Sequence, residues 1–247
     1  MTTKVAVVGA TGRMGTLVSR LIESAEGYEL VAQIGSGGEL SEMLGADIAV
    51  DVTVPAVSQG VVEYAVAHGI NVLVGTSGWS NERIAALERT IAGTPEVGVI
   101  IVPNFSVGSV LATSFATMAA RFFDSIEIVE AHHASKVDSP SGTAVRTAEL
   151  MGAARGVLGP VAAPHVDQRA RGQQVSSIPI HSLRMHGVVA QQDVVFGGTG
   201  EVLTIRHETL SASAYEAGIL LALRAVGTAR GVVVGLDKLI DLGLEKA

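Results

Sequence analysis

The sequence predicts an α/β fold with two domains, and three features of the chain support this prediction. From Val5 to Val102, short apolar runs alternate with helix-like segments, an order typical of a parallel sheet with helices on both faces. After Pro103, strand-like runs follow one another without intervening helices, which predicts an α+β domain with a mostly antiparallel or mixed sheet. The 247 residues are 48% hydrophobic and include 29 glycines, which suits a globular chain with a buried core.

The apolar runs of the first part predict its strands and helices in order. The predicted strands are VAVVG, ELVAQI, DIAVDVTV, INVLVG and VGVIIV. Helices are expected from Leu17 to Ile22, from about Pro55 to Ala67 and near Asn81 to Ile91. Pro55 suits a first helical turn, and Ser80 is a candidate N-cap.

The second part predicts a different order of elements. We expect a helix from about Val107 to Phe123, the strand DSIEIVEA, a helix from about Thr143 to Arg155, a long loop over 156–176, and the strands SIPIHSLR, GVVAQQDVVF and EVLTIRHE. Tyr215 to Arg230 is predicted as a helix. The final segment GVVVGLDKLIDLGL is too short to form its own core, so we expect it to pack on the first domain.

Composition excludes several classes of function. The net charge of −7 argues against a general nucleic-acid or anionic-membrane surface, because such partners select clustered Lys and Arg. The absence of cysteine excludes disulfides, thiolate metal sites and a cysteine nucleophile, and no His or carboxylate pair has metal-ligand spacing. The apolar run in MTTKVAVVGATG is too short for a signal sequence or a membrane span, so we expect a cytoplasmic protein.

The stretch VAVVGATGRMG contains a glycine turn, Gly9-x-x-Gly12-x-x-Gly15, directly after a predicted strand. In a Rossmann-like domain such glycines allow a tight turn, close approach of a pyrophosphate and close helix–strand packing. Glycine triplets also occur in ordinary tight turns, but the strand–turn–helix context favours a dinucleotide. Thr11 stands where the commoner pattern has its second glycine.

The position that selects NAD lacks its usual acidic residue. In ELVAQIGSGGEL, Gly35 and Ser36 occupy the end of the second strand, where a carboxylate would hold the ribose hydroxyls. Arg13 and Ser36 could instead face a 2′-phosphate, although Arg13 is nearly as well explained as a solvent-exposed helix residue. The choice between NADPH and NADH therefore stays open.

Two further loops follow predicted strands of the same sheet. Gly75-Thr76-Ser77 comes after INVLVG, and Pro103-Asn104-Phe105 comes after VGVIIV. Each could be an ordinary turn, but the carboxyl ends of parallel strands are where such sheets bind their ligands.

The segment EAHHASKVDSPSGTA places two histidines, a lysine and a helix start within 15 residues. Side chains alternate along a strand, so His132 and His133 cannot both enter one pocket unless the chain turns there. Imidazole exchanges protons near neutral pH, and the ammonium of Lys136 can donate a proton or neutralise a carboxylate. Ser141 is a candidate N-cap whose helix presents the N–H groups of Gly142 and Thr143 to an anion. Together they suit a small polyanionic substrate that must be protonated during the reaction.

The stretches VAVVGATGRMG, VGTSGW, VPNFSVG and, above all, EAHHASKVDSPSGTA resemble the 4-hydroxy-tetrahydrodipicolinate reductase family, formerly called the dihydrodipicolinate reductases. The similarity runs nearly end to end. It implies a Rossmann-like cofactor domain at 1–104 and 214–247, and a substrate-binding and oligomerisation domain at 105–213 that forms a homotetramer. The implied reaction uses NADPH or NADH to reduce a small cyclic imine dicarboxylate in lysine and diaminopimelate biosynthesis.

The resemblance also implies roles for individual residues. His132 is the expected acid/base residue and Lys136 the expected proton donor. The substrate carboxylates are expected to bind to His133, Ser141, Gly142 and Thr143. The cofactor is expected to bind to Gly9, Ala10, Thr11, Gly12, Arg13, Met14, Gly75, Thr76, Ser77, Val102, Pro103, Asn104 and Phe105.

Two alternatives remain from the sequence alone. One is a non-catalytic nicotinamide-sensing regulator on the same fold, because a fold does not fix a function. The intact combination of His132, Lys136 and Ser-Gly-Thr argues against it, since a sensor has no use for a proton donor. The other is a reductase that acts on a different small imine or keto acid.

Overall fold

The computed structural model describes residues 2–241, which form two compact units. One unit contains residues 2–107 and 215–241, and the other contains Gly108–Ala214. Met1 and residues 242–247, the end of the predicted C-terminal tail, lie outside the described residues. No helix within residues 2–241 combines the length and the apolar character needed to cross a membrane.

The first unit is built on a sheet of six parallel strands, which confirms the predicted fold class. The strands are β1 (Thr3–Val8), β2 (Tyr28–Ile34), β3 (Ile48–Asp51), β4 (Asn71–Val74), β5 (Gly98–Ile101) and β11 (Gly231–Val234). Their order across the sheet is β11-β5-β4-β3-β1-β2. The C-terminal segment packs on this unit by adding β11 beside β5.

Helices bury both faces of this sheet. They are α1 (Arg13–Ser24), α2 (Pro55–Ala67), α3 (Asn81–Ile91) and α6 (Glu216–Val226). Val72 and Val99 share a core cluster with residues of α2 and α3. The next residues along each strand, Leu73 and Ile100, point to the opposite face and are also buried. Burial on both sides explains why these strands are continuous apolar runs rather than alternating ones.

Several predicted boundaries of this unit are wrong. Helix α1 extends over Arg13–Ser24, beyond the predicted Leu17–Ile22 at both ends, and Gly12 is its N-cap. Helix α6 ends at Val226 instead of Arg230, because the chain must turn through Gly227 to enter β11. A 3₁₀ turn at Leu40–Met43 was not predicted.

The second unit contains a mixed five-stranded sheet and two helices. Its elements are α4 (Val107–Ala119), β6 (Ser125–His133), α5 (Gly142–Arg155), β7 (Gln173–Val175), β8 (Ile178–Met185), β9 (Ala190–Gly198) and β10 (Glu201–Thr209). The strand order is β10-β9-β6-β8-β7. Strands β6 and β8 run parallel, and the other neighbouring pairs run antiparallel, as predicted for this domain.

One face of the second sheet is covered and the other is open. Ile126 and Ile128 of β6 pack with Phe196 of β9 and Met151 of α5 in a single buried cluster. On the opposite face, three large apolar residues are exposed to solvent: Leu183 is 45% exposed, Met185 is 49% exposed and Val202 is 70% exposed.

Two predictions for the second unit are wrong. Helix α4 ends at Ala119 rather than near Phe123. The buried Arg155 donates to the carbonyls of Ala120 and Phe123, which satisfies backbone acceptors just beyond the helix end. The predicted loop over 156–176 contains the short strand β7. Its three residues, QQV, are too few to show the alternation of polar and apolar residues that identifies a strand.

Candidate functional site

The glycine turn of the first unit follows β1 and lies beside the end of β3. Gly9 has a φ of +88°, and a Cβ added there would lie 2.6 Å from the carbonyl oxygen of Val52. A Cβ at Gly15 would lie 2.1 Å from the carbonyl oxygen of Gly9. Both positions therefore require glycine for the turn and for helix–strand packing, as the sequence predicts.

The reason for a glycine at position 12 differs from the reason at positions 9 and 15. A Cβ at Gly12 would meet only the carbonyl oxygen of Gly9, at the ordinary contact distance of 3.4 Å. Gly12 is the N-cap of α1, and the N–H groups of Arg13 and Met14 donate to no acceptor among residues 2–241. The protein leaves room beside exposed N–H donors, which suits the close approach of an anionic group.

The two other predicted cofactor loops follow β4 and β5 at the same edge of the sheet. Ser77 and Pro103 are exposed there, whereas Thr76 and Val102 are buried. The ring of Phe105 is also buried, and a Cβ at Gly75 would lie 2.6 Å from it. A ligand at this edge would therefore meet the exposed side chains and the backbone, while the buried members fix the loops.

The NAD-selecting position is also at this edge. Ser36 and Arg13 are exposed, and a Cβ at Gly35 would lie 3.1 Å from the methyl group of Thr11. Thr11, which replaces the usual second glycine, would have to shift by a few tenths of an ångström to admit a side chain at residue 35.

A buried carboxylate that sequence reasoning missed organises the loops after β3 and β4. Asp51 is fully buried and accepts hydrogen bonds from the backbone N–H and the hydroxyl of Thr53, at 3.1 and 2.6 Å, and from the hydroxyl of Ser58. The indole of Trp79 donates to the Ser58 hydroxyl at 3.0 Å, and the hydroxyl of Thr76 donates to the Asp51 carbonyl at 3.4 Å. An aspartate within an apolar strand was the signal that could have identified it.

In the second unit, the two adjacent histidines are the last residues of β6. Because β6 continues through both, His132 and His133 lie on opposite faces of the strand. Glu130, two residues before His132, lies on the same face as His132. The expected division of labour within the pair therefore has a structural basis.

The side chain of Glu130 is fully buried and accepts four hydrogen bonds. Arg184 donates through both terminal nitrogens, one to each carboxylate oxygen, at 2.9 Å each. The backbone N–H of Ser141 donates to Oε1 at 3.2 Å, and Nδ1 of His132 lies 2.6 Å from Oε2. One carboxylate thus joins the end of β6, strand β8 and the start of α5.

These contacts keep Glu130 ionised. Burial by itself raises the pKa of a carboxyl group, but hydrogen bonds from His132 and Arg184 outweigh it and lower the pKa of Glu130 from 4.5 to about 2. An ionised carboxylate has no proton to donate, so each of its partners must donate to it.

Lys136 lies in the turn that follows β6, where its backbone N–H donates to the carbonyl of His133 at 3.0 Å. Its ammonium group donates to Asp138 Oδ1 at 2.7 Å, and this bond lowers the pKa of Asp138. Arg184 also donates to the backbone carbonyl of Asp138. The same arginine therefore holds both Glu130 and the loop that contains Lys136.

The start of α5 has the geometry predicted for it. Ser141 is the N-cap, and its hydroxyl accepts the N–H of Ala144 at 3.2 Å. Within residues 2–241, the N–H groups of Gly142 and Thr143 donate to no protein acceptor. A Cβ at Gly142 would have no neighbour within 4 Å. The helix therefore offers two N–H donors and free space to an anion.

His133 does not join the Glu130 network. Its Nδ1 lies 2.8 Å from the hydroxyl of Ser135. Together with Met185 and His186 these residues line a separate cavity of about 380 Å³.

Sequence reasoning missed Glu130 and Arg184 as members of the site. A charged residue at a core-facing position of an apolar strand was a signal for Glu130. Arg184 lies 54 residues further along the chain, and nothing in its local sequence distinguishes it from a surface arginine.

Two family profiles together match nearly the whole chain. The profile described as "Dihydrodipicolinate reductase, N-terminus" matches residues 3–105, and "Dihydrodipicolinate reductase, C-terminus" matches residues 108–240. A 4-hydroxy-tetrahydrodipicolinate reductase of Clavibacter sepedonicus is 78% identical over 242 residues, covering 98% of this chain and 87% of the relative. One from Streptomyces avermitilis is 45% identical over 247 residues, covering 97% and 98%.

Solved structures agree with the profiles. A dipicolinate-bound dihydrodipicolinate reductase from Paenisporosarcina sp. TG-14 superposes with a TM-score of 0.84 and 27% identity, covering 97% of this chain and all of that one. A scyllo-inositol dehydrogenase from Lactobacillus casei, at a TM-score of 0.61 and 12% identity over 97% and 93% of the chains, shares the fold alone. The profiles and the two reductase relatives show that the chain belongs to the dihydrodipicolinate reductase family.

Proposed function

We propose that the protein reduces 4-hydroxy-tetrahydrodipicolinate to tetrahydrodipicolinate with NADH or NADPH and loss of water, in lysine and diaminopimelate biosynthesis. Its reductase relatives at 78% and 45% identity have this activity in their names. The observation that supports the proposal most strongly is the Glu130 network, which joins His132 to the anion-binding start of α5.

The chemistry requires a proton donor beside a bound dicarboxylate. The reduced nicotinamide, when bound, supplies a hydride. Loss of the 4-hydroxyl group as water first leaves a conjugated ring, and once this ring has accepted the hydride at C4, an electron-rich enamine remains and must take up a proton. In this proposal Lys136 delivers that proton and His132 acts as the acid/base residue. The ammonium of Lys136 donates to Asp138 at 2.7 Å, so it must leave this hydrogen bond before it can donate a proton to the substrate.

Substrate binding is assigned to the start of α5. The N–H groups of Gly142 and Thr143 would hold one carboxylate, assisted by Ser141. His133 lies on the other face of β6 and lines a separate cavity, so its assigned contact with the substrate requires the ring to turn away from Ser135. The relative from Paenisporosarcina is named as binding dipicolinate, a dicarboxylate, and two N–H donors at a helix start suit one of its carboxylate groups.

The cofactor is assigned to the first unit, at the ends of β1, β4 and β5. Gly12 gives room for the pyrophosphate beside the N–H groups of Arg13 and Met14. The remaining predicted contacts are Gly9, Ala10, Thr11, Gly75, Thr76, Ser77, Val102, Pro103, Asn104 and Phe105. Of these, the buried Thr76, Val102 and Phe105 would contribute through their backbone and by fixing the loops.

A homotetramer in the cytoplasm completes the proposal. The open face of the second sheet, with Leu183, Met185 and Val202 exposed, supports association with further copies of the chain. Sedimentation equilibrium, which gives the mass of the particle in solution, tests this part.

The domain roles follow from the two assignments: residues 1–104 with 214–247 for the cofactor, and residues 105–213 for the substrate and for oligomerisation.

The first prediction concerns turnover. The purified protein should oxidise NADH or NADPH only when freshly generated 4-hydroxy-tetrahydrodipicolinate is present. Because residue 35 is a glycine and Arg13 and Ser36 are exposed, NADPH should be used at least as well as NADH. Absorbance assays with each cofactor measure both points. Cofactor binding by folded protein without turnover would favour the sensing regulator, and a preference of tenfold in kcat/KM for NADH, about 1.4 kcal/mol, would contradict the second point.

The second prediction separates chemistry from binding. Lys136→Ala and His132→Ala should each lower kcat by roughly 10²-fold, the loss expected of a general acid, with cofactor affinity unchanged. The double variant should lose less than the sum of the two single losses, because the residues act as one unit. Steady-state kinetics and cofactor titration provide both values. A wild-type kcat in Lys136→Ala at neutral pH would refute its assignment.

The third prediction uses the free space at the start of α5. Gly142→Ala keeps the backbone N–H and removes a poor helix former, so the protein should be as stable as before or more stable by about 0.5–1 kcal/mol. The added methyl group would occupy the space assigned to the carboxylate, so the Kd for dipicolinate should rise by about 10-fold or more. Calorimetric titration measures the affinity, and urea denaturation measures the stability.

Gly60→Ala is the matched control for that variant. Gly60 also lies in a helix with no atom within 4 Å of an added Cβ, but in α2 of the first unit. It should gain similar stability without any change in dipicolinate affinity. Equal dipicolinate affinity in Gly142→Ala and the wild type would show that no carboxylate approaches this position.

A further inference from the structure

The contacts of Glu130 restrict which nitrogen of His132 can react. The carboxylate is fully buried, and Nδ1 of His132 lies 2.6 Å from its Oε2 atom. An ionised carboxylate only accepts hydrogen bonds, so Nδ1 must hold the proton of that contact. In the neutral ring, Nε2 is then the free acceptor, and in the protonated ring Nε2–H is the donor.

Arg184 makes this arrangement possible. A fully buried carboxylate without partners would become protonated and could no longer fix the ring. Arg184 donates one hydrogen bond to each oxygen of Glu130, and the N–H of Ser141 donates to Oε1. These bonds offset the cost of burying the negative charge. The register of the sheet explains the geometry, because Arg184 pairs with His132 across β8 and β6.

We propose that Glu130, supported by Arg184, is a positioning residue that fixes His132 in the tautomer with the proton on Nδ1, so that Nε2 exchanges protons during the reaction. This inference rests on the proposed function for its catalytic consequence. The tautomer itself is a property of the free protein. Glu130 does not touch the reacting atoms and acts only through the imidazole.

The same strand provides a matched control. Glu127 lies on the opposite face of β6 and also accepts from an arginine and a histidine, since Arg171 donates to both of its oxygens and His181 Nε2 lies 2.7 Å away. Glu127→Gln and Glu130→Gln therefore each alter a Glu–His–Arg network, and only the fully buried one contains His132.

The test combines ¹⁵N NMR of the histidine rings with steady-state kinetics. The His132 signals are assigned by their loss in a His132→Gln sample. In the wild type, Nδ1 of His132 should be protonated and Nε2 unprotonated at a pH where the ring is neutral. In Glu130→Gln the amide can present either its oxygen or its NH₂ group, so both tautomers should be populated. The kcat should fall by about 10- to 100-fold with cofactor affinity unchanged.

Glu127→Gln should retain the wild-type His132 tautomer. A wild-type His132 with the proton on Nε2 would overturn the inference without any variant, even if Glu130→Gln failed to fold. Wild-type kcat and tautomer in a folded Glu130→Gln protein would also overturn it. If the wild type did not turn over the imine at all, the proposed function would fail, while the NMR result would still decide the tautomer.

Discussion

The second unit depends on one buried negative charge. Glu130 has no exposed surface, so its carboxylate is tolerated only because Arg184, His132 and the N–H of Ser141 all donate to it. These donors come from different elements of the chain. Satisfying the charge therefore fixes the histidine, the start of α5 and, through the arginine, the loop of Lys136 in one arrangement.

The first unit shows the same principle at a different strand end. The buried Asp51 draws the loops after β3 and β4 together through Thr53, Ser58 and Thr76. Here the hydrogen bonds hold two loops beside the glycine turn, whereas in the second unit they orient the ring of His132. Buried carboxylates at strand ends are expensive to desolvate, and in both units the hydrogen bonds that offset this cost hold loops of the candidate sites in place.

Much of the fold and the local motifs could be predicted from the sequence. Continuous apolar runs identified the parallel strands, and glycines at fixed spacing identified the turn whose backbone they permit. The elements that were missed depend on non-local pairing: β7 is stabilised by β8 rather than by its own pattern, and Arg184 joins the site only through the register of β6 and β8. Local propensity contains no information about such partners, which explains both omissions.

Titration of Glu130 tests most directly whether this carboxylate is ionised in the folded protein. In protein labelled with ¹³C at the glutamate carboxyl groups, the Glu130 signal can be identified by its loss in Glu130→Gln and followed as the pH falls. We expect the signal to keep its ionised position through pH 4 and to titrate with a pKa of about 2, or to persist until the protein unfolds. A midpoint at the ordinary value of 4.5 or above would contradict this expectation, because a protonated Glu130 would lose its ion pair with Arg184 and would no longer require the proton on Nδ1 of His132.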